Sequence, residues 1–190
     1  SAVYVQNFSI LAQDNSPSGL AFNADGTKMF VLGYQNDSVN EYALSTGFDV
    51  STASFTDAFS VSSQDTIPYG LAFSPDGTKM FVVGYSGQDV NEYTLSTGFD
   101  VSTASFVDSF SVSSQDTQPA GVAFNTDGTK MFVSGITGQD INEYALSTGF
   151  DVSTASYTQV FSLATYVVRP VGIAFNANGT KMFVLGQGSG

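Results

Sequence analysis

Residues 70–82 read GLAFSPDGTKMFV, and this stretch decides the fold. Closely similar stretches begin at Gly19, Gly121 and Gly172, so each copy follows the previous one by 51 residues without insertion or deletion. A period of this length is typical of proteins in which one supersecondary unit stacks on copies of itself. The chain is therefore a tandem repeat. It holds four copies of this half of the unit and three complete copies of the other half, which first begins at residues 40–42.

One unit divides into four strand-like runs. The first, residues 70–73, ends in the tight-turn signal Ser-Pro-Asp-Gly. The second, residues 79–83, is apolar on both faces, which predicts a strand buried on both sides. The third, residues 89–95, alternates more and is expected to be half exposed. The fourth, residues 105–112, carries apolar side chains on one face and mostly polar ones on the other.

Four short strands joined by turns form a meander sheet, and a single such sheet leaves both of its faces uncovered. Stacking copies face to face, around a ring or along a line, covers them. Repeats of roughly 40 to 50 residues are typical of β-propeller blades, whereas a β-solenoid normally has a shorter rung. We therefore predict an all-β protein, a β-propeller of four-stranded antiparallel blades, with about four blades in the chain and the last one incomplete.

The repeat is out of frame, because the chain opens on a fourth strand and ends after a second one. We predict a single repeat domain over residues 1–190, with units at about 17–67, 68–118 and 119–169, a partial unit at 170–190, and 1–16 as an unpaired fourth strand. Unpaired strand edges invite partners. The expected partner is a second copy, giving a homo-oligomer through open blade edges. Self-closure with an imperfect fourth blade and a piece of a longer repeat protein remain alternatives.

Composition narrows the functional classes. The formal net charge is −12, from 17 acidic and 5 basic residues, so binding to phosphate backbones or anionic membranes is disfavoured. No apolar run approaches the roughly 20 residues that span a bilayer, and the first residues lack the pattern of a signal peptide. We therefore predict no nucleic-acid partner and no membrane insertion. There is no cysteine, so thiolate chemistry and disulfides are excluded.

The repeated charged residues each have a structural interpretation. Residues 76–77, Asp-Gly, and their equivalents predict hairpin turns rather than a phosphate or metal loop. Lys79 and its equivalents are interpreted as solvated strand ends that balance nearby Asp, with an anion-binding ring of lysines as the alternative. Asp89 and Glu92 would point to opposite faces of a strand, so we expect edge protection rather than a shared cation. Asp65 and its equivalents look like turn residues. No metal site and no cofactor are predicted.

Positions that vary between near-identical units are the candidates for ligand contact. Tyr34 and Tyr85 occupy the loop after the second strand, and Tyr69 follows the proline that starts its unit. Arg169 ends the stretch Tyr-Val-Val-Arg, which is the strongest departure from the repeat. We predict that these four residues form a ligand site for a glycan or a protein. An adaptation of the blade interface near the chain terminus is the other interpretation of the stretch around Arg169.

Two resemblances accompany this pattern. Residues 70–82 are similar to the blade start of YVTN, lactonase-like and WD40-like propellers. The full unit, with DVNEY at residues 89–93 and FDVSTAS at residues 99–105, resembles tandem repeats of marine bacterial and phage surface or structural proteins. The first resemblance implies a propeller without specifying an activity. The second implies a surface or virion protein, and on this ground we favour an extracellular or virion-surface location.

Catalysis is not expected from the residue types alone. The chain has no histidine and one arginine, and its carboxylates recur in every unit, whereas acid–base catalysis usually needs groups in contrasting environments. We therefore expect a protein that is not an enzyme, namely a non-catalytic binding or structural propeller that acts as a recognition or scaffold module on a cell or virion surface. A propeller enzyme with lactonase-like or lyase-like chemistry is the alternative.

Overall fold

The computed structural model describes residues 3–188. Within this range the chain forms fourteen β-strands and three short 3₁₀ turns, and no helix is long and apolar enough to cross a membrane. The strands are β1 Pro17–Phe22, β2 Lys28–Gly33, β3 Ser38–Leu44, β4 Ala53–Ser60, β5 Pro68–Phe73, β6 Lys79–Gly84, β7 Asp89–Leu95, β8 Ala104–Ser111, β9 Pro119–Phe124, β10 Lys130–Gly135, β11 Asp140–Leu146, β12 Ala155–Ser162, β13 Arg169–Phe175 and β14 Met182–Gln187. The 3₁₀ turns are Val50–Thr52, Val101–Thr103 and Val152–Thr154.

The strands pair into sheets that follow the repeat. Blades 1, 2 and 3 are four-stranded antiparallel meanders made of β1–β4, β5–β8 and β9–β12, and blade 4 is the two-stranded sheet β13–β14. The prediction of four-stranded antiparallel blades with an incomplete last one is confirmed. The first strand of each blade contacts the first strand of the next, so these strands lie innermost.

The turn between the first and second strands forms as its sequence predicts. Gly77 has a φ of 70°, a left-handed conformation that favours glycine. One oxygen of Asp76 accepts hydrogen bonds from the backbone N–H of Thr78 at 3.1 Å and from the hydroxyl of Ser74 at 2.6 Å. The Ser74 bond is the main reason that the pKa of Asp76 is lowered. The turn is therefore held by its own side chains, and the hairpin prediction is confirmed.

Each blade has two sides, because successive side chains of a strand point in opposite directions. The trailing side, which faces the next blade, carries Phe30 and Leu32 in blade 1. The leading side, which faces the previous blade, carries Leu71, Met80 and Val82 in blade 2. All five belong to one buried cluster between these two blades. Phe81 and Val83 on the trailing side of blade 2 form the equivalent cluster with blade 3. The prediction that the second strand is buried on both sides is confirmed.

The third strands are more buried than their alternation suggests. In β7 the side chains from Val90 to Tyr93 are all buried, so the expectation of a half-exposed strand is wrong. The physical reason is the 3₁₀ turn of the next blade, Val152–Thr154, which contacts β7 from outside. Asp151 caps this turn by accepting a hydrogen bond from the N–H of Ser153 at 3.1 Å. A short connector therefore covers a polar strand.

The innermost strands approach one another closely at glycines. A β-carbon on Gly70 would collide with the carbonyl oxygen of Ala120 in the next blade. The first strands of all four blades line a cavity of about 530 Å³. Its lining includes Leu20, on the leading side of blade 1, and Leu185, on the trailing side of blade 4. The blades therefore curve around a channel whose wall is open between the first blade and the last.

The segment before β1 packs like a fourth strand although it forms no strand. The ring of Phe8 meets Tyr42 edge to face with centroids 5.5 Å apart, and Phe59 of β4 meets Tyr93 in the same geometry at 5.5 Å. Among the described residues blade 4 has no third strand, so residues 3–16 have no ladder partner. The predicted fourth strand thus has the expected position without strand pairing. The first two residues of the predicted segment 1–16 lie outside the described residues.

Candidate ligand site on the linker face

One end of the blades carries the loops between second and third strands together with the linkers that join successive blades, and we call this end the linker face. All four predicted ligand residues lie there. Tyr34 and Tyr85 belong to the loops after β2 and β6, Tyr69 is the second residue of β5, and Arg169 is the first residue of β13. The fold thus places these four candidate positions at one end of the sheets.

Buried aspartates hold the linker face together. Asp65 is 1% exposed and accepts hydrogen bonds from the N–H of Ile67 at 2.6 Å and from the N–H of Gly87 at 2.8 Å. It therefore ties the linker before β5 to the loop after β6. The backbone N–H of Tyr85 also donates a hydrogen bond to the Ile67 carbonyl at 3.0 Å, which fixes the backbone from which the Tyr85 side chain extends. The interpretation of Asp65 as a turn residue is too narrow, since it also joins two loops.

The same clamp recurs in the other complete blades and is lost in the last one. Asp14 accepts from the N–H of Asn36 at 3.0 Å, and Asp116 accepts from the N–H of Gly138 at 2.6 Å. In the fourth unit the equivalent position is Val167, whose side chain lies against Gly186. The linker that carries Arg169 is therefore packed by an apolar contact rather than tied by a carboxylate.

A pocket of about 100 Å³ opens on this face where blades 2, 3 and 4 meet. Three of the predicted residues, Tyr69, Tyr85 and Arg169, line it. The fourth, Tyr34, stacks on the far side of Tyr69, with ring centroids 6.5 Å apart and planes 5° from parallel. The remaining lining residues, which the sequence did not single out as site residues, are Gln118, Pro119 and Ile136.

A signal for the missed residues existed in the repeat. Ile136 is the unit-three equivalent of Tyr34 and Tyr85, and Gln118 is the unit-three equivalent of Arg169. Both positions vary between the units. The backbone N–H of Ile136 donates to the carbonyl of Gln118 at 3.1 Å, so these two residues form one wall of the pocket.

The pocket has one basic group, and the face around it carries acidic groups. Arg169 is the only arginine in the chain, and the four lysines lie toward the other end of the blades, at or next to the start of each second strand. Several acidic groups lie close together on the linker face. Burial and the charge of Asp65 raise the pKa of Asp89. Burial and the charges of Asp65 and Asp14 raise the pKa of Asp37. A single cation among tyrosines and carboxylates is suited to one anionic group of a ligand, since a guanidinium can donate two parallel hydrogen bonds to it.

In blades 1 and 2 the repeated lysine and glutamate form structural ties to the next blade. The Nζ atom of Lys79 lies 2.6 Å from Glu92 Oε1 and donates to the carbonyl of Phe150 in blade 3 at 2.7 Å. The other oxygen of Glu92 accepts from the N–H of Val152 at 2.9 Å. Lys28 and Glu41 repeat this arrangement between blades 1 and 2. In blades 1 and 2 the interpretations of the lysine as a solvated strand end and of the glutamate as edge protection are wrong, because both groups also bond to the backbone of the next blade. In blade 3 the lysine, Lys130, stays 51% exposed, as interpreted, and pairs with Glu143 of its own blade.

Comparison with known proteins adds information about the fold. No protein-family model and no curated protein matches the sequence. Solved structures that are similar include a protein of Bacteroides uniformis assigned as a 6-phosphogluconolactonase, with 15% identity, a TM-score of 0.63 and coverage of 88% of this chain and 46% of that one. The periplasmic gluconolactonase of Pseudomonas aeruginosa has 19% identity, a TM-score of 0.51 and coverage of 77% and 39%. The Cps50 (Swd1) β-propeller domain of Myceliophteria thermophila has 10% identity, a TM-score of 0.60 and coverage of 91% and 51%.

These similarities correct one expectation. The prediction that the chain is not an enzyme is contradicted, because proteins named as lactonases are among those that share its architecture. The physical reason is that repetition of the framework does not impose identical sites: the pocket at Arg169 is formed by residues that differ between units. The chain spans about half the length of these structures or less. Its sheets and their order show that it has the β-propeller fold, over three complete blades and half of a fourth.

Proposed function

We propose that the linker face is the ligand-binding face of a lactonase-like propeller, and that its pocket takes a hydroxylated small molecule with one anionic group. The lactone of a sugar acid is the candidate substrate. The observation that carries this proposal is the position of the only arginine, Arg169, in one small pocket with Tyr69 and Tyr85.

The size and lining of the pocket support this ligand class. A volume of about 100 Å³ holds the anionic group of a sugar-sized ligand, whose remaining atoms would lie on the surrounding linker face. Aromatic faces such as those of Tyr69 and Tyr85 pack on the C–H face of a sugar ring, and their hydroxyl groups remain free to hydrogen-bond with its hydroxyls. The guanidinium of Arg169 supplies the complementary charge that the surrounding acidic surface lacks.

Hydrolysis of a lactone is a reaction that such a site can assist. Water adds to the carbonyl carbon, the ring C–O bond breaks, and the product is a hydroxy acid. Negative charge develops on the carbonyl oxygen during the addition, and a fixed guanidinium such as that of Arg169 stabilises it. Tyr69 and Tyr85 would orient the ring. Because the chain spans about half the length of the lactonase structures it resembles, groups from a second half of the ring belong to this proposal as well.

A hydrolysis assay tests the proposal. Sugar-acid lactones with and without a phosphate group are incubated with the protein, and acid release is followed at constant pH against the spontaneous rate. We expect turnover above that rate, and a loss of about tenfold or more in Arg169→Gln, since one charge-assisted contact to a transition state is removed. Tyr157→Phe is the matched control, because this tyrosine lies on the outer strand β12 and does not line the pocket. Equal rates for the wild type and Arg169→Gln would contradict the role of the pocket.

Recognition of a glycan on a cell or virion surface is the second candidate function. It is supported by the stack of Tyr34 on Tyr69 next to the pocket, which extends the aromatic surface beyond a single sugar. A glycan array probed with the wild type, Tyr34→Ala and Tyr157→Ala tests it. Binding that Tyr34→Ala removes and Tyr157→Ala retains supports recognition, and the absence of any bound glycan argues against it.

A further inference from the structure

Two blade sides are left uncovered, one at each end of the array. On the leading side of blade 1, Leu20 is 61% exposed and Phe48 is 60% exposed, whereas the equivalent of Leu20 in blade 2, Leu71, is 9% exposed. On the trailing side of blade 4, Phe183 is 57% exposed and Leu185 is 69% exposed. The equivalent residues of the inner blades are buried or half-buried, so, among the described residues, both surfaces lack the blade that would cover them.

The interfaces inside the chain show what each surface accepts. Phe30 of blade 1 packs on Phe73 of blade 2, with ring centroids 4.5 Å apart, and Phe81 packs on Phe124 in the same way at 4.3 Å. Phe183 is the blade 4 equivalent of these two trailing residues.

The receiving aromatic pair is already formed on the leading side of blade 1. Phe22 and Phe48 have centroids 5.6 Å apart, the same separation as the Phe73–Phe99 pair that receives Phe30. The surface that would receive Phe183 therefore exists before any partner is bound.

The uncovered part of the leading side of blade 1 also has the same width as the trailing side of blade 4. Residues 3–16 cover the outer half of the leading side, where Phe8 packs on Tyr42. Only the inner half, at Leu20 and Phe48, stays open. The trailing side of blade 4 consists of the two inner strands, β13 and β14, and therefore has the width of the gap.

A polar contact is available at the edge of the same surfaces. Lys28 Nζ of blade 1 donates to the Phe99 carbonyl of blade 2 at 2.6 Å, and Lys79 repeats this bond to blade 3. Lys181 is the equivalent lysine of blade 4, and the Phe48 carbonyl is the equivalent acceptor on blade 1. The docked pair would thus repeat a charge-assisted hydrogen bond as well as an aromatic contact.

We propose that two copies of this chain associate head to tail, with the trailing side of blade 4 of each copy seated on the leading side of blade 1 of the other. A second copy is favoured as the occupant because similar solved propellers are about twice as long as the aligned region, which covers 46% and 51% of two of them. Two copies therefore supply about the length of chain that such structures contain. The contact is heterologous, and it closes because each copy contributes both of its surfaces.

Solution mass is the first test. Light scattering and sedimentation over a concentration series should show a species of twice 20.0 kDa. Phe183→Ser and Phe48→Ser should each raise the dissociation constant by about tenfold or more, as for an aromatic residue central to an interface. Val107→Ser should leave it unchanged, because this residue is 51% exposed on the outer strand β8. A single 20.0 kDa species at all concentrations, or equal effects of all three variants, would overturn the proposal.

Engineered cysteines identify the occupant, because the chain has no cysteine of its own. Chains carrying Phe183→Cys are mixed with chains carrying Phe48→Cys under mild oxidation. The proposal predicts a disulfide between the two kinds of chain, formed faster than either homodimer. The double variant should give covalent dimers. A double variant that forms its disulfide within one chain, with no bond in the mixture, would show that the chain closes on itself and would overturn the proposal.

Discussion

The tie between Glu92 and the next blade leads to a quantitative prediction for Glu92→Gln. The side chain of Glu92 is 3% exposed, and its two oxygens accept from different donors, Lys79 Nζ at 2.6 Å and the Val152 N–H at 2.9 Å. Glutamine offers one acceptor oxygen, so one of the two donors loses its partner. Leaving a buried donor unsatisfied costs roughly 1 to 3 kcal/mol. Since the lysine is 30% exposed and can turn to water, we expect a loss of about 2 kcal/mol in the free energy of unfolding.

The chain contains its own control for this change. Glu143 makes the equivalent pair with Lys130 at 2.7 Å. In the part of blade 4 that the structure describes there is no 3₁₀ turn to bond its second oxygen, which accepts from Gln159 at 2.8 Å instead. Burial raises the pKa of Glu143, and the hydrogen bonds from Lys130 and Gln159 outweigh this, so the pKa is lowered overall. Lys130 is 51% exposed. We expect Glu143→Gln to cost less than about 1 kcal/mol, as for exposed ion pairs.

Urea unfolding followed by circular dichroism measures both variants, with free energies compared at a common slope. The difference between Glu92→Gln and Glu143→Gln should exceed about 1 kcal/mol, given the costs of buried and exposed pairs. The argument is refuted if the two variants lose the same stability, because the contact with Val152 would then contribute nothing.

Three further perturbations test other parts of the fold. Phe81→Ala should cost about 3 to 5 kcal/mol of unfolding free energy, as for a fully buried phenylalanine, and a loss below about 1 kcal/mol in denaturant unfolding would contradict the packing between blades 2 and 3. Burial raises the pKa of Asp89 above the ordinary value of 3.8, so the protonated carboxyl favours the folded state below pH 3.8, and this stability is lost as the pH rises through the raised pKa. Asp89→Asn should therefore stabilise the fold at neutral pH and make the melting temperature depend less on pH. A pH profile of melting temperatures identical to that of the wild type would count against this role of Asp89. Gly77→Ala should destabilise more than Gly179→Ala, since both glycines have positive φ but only at Gly77 would a β-carbon strike the ring of Phe99; equal melting temperatures would speak against that contact.

Much of the fold follows from local rules that the sequence displays. The turn at Gly77 and the doubly apolar β6 depend on contacts within one hairpin, and the 51-residue period fixes how often they recur. The burial of Glu92 could not be predicted in this way. Its partner Val152 lies 60 residues away in the next blade, and strand alternation carries no information about that contact.

For the candidate site, too, the sequence predicted the residues but not the contacts between distant parts of the chain. Comparison of the units singled out Tyr69, Tyr85 and Arg169, and the fold brings these three into one pocket. Their convergence could not be read from the sequence, because it depends on the curvature that places blades 2, 3 and 4 around a common corner. The clamp at Asp65 was hidden for a related reason: an aspartate before a proline has the local signature of a turn, whichever loop its second oxygen reaches.

The assignment of the pocket as a ligand site is tested most directly by the side-chain signal of Arg169. As the only arginine in the chain, it gives a single Nε–H resonance in a nitrogen-correlated NMR spectrum. Titration with 6-phosphogluconate, the hydroxy acid formed from a phosphorylated sugar lactone, should shift this resonance and the ring signals of Tyr69 and Tyr85 with one common dissociation constant, while the ring signals of Tyr157 stay in place. An Arg169 resonance that does not move at saturating ligand, or that moves only together with Tyr157, would contradict the account.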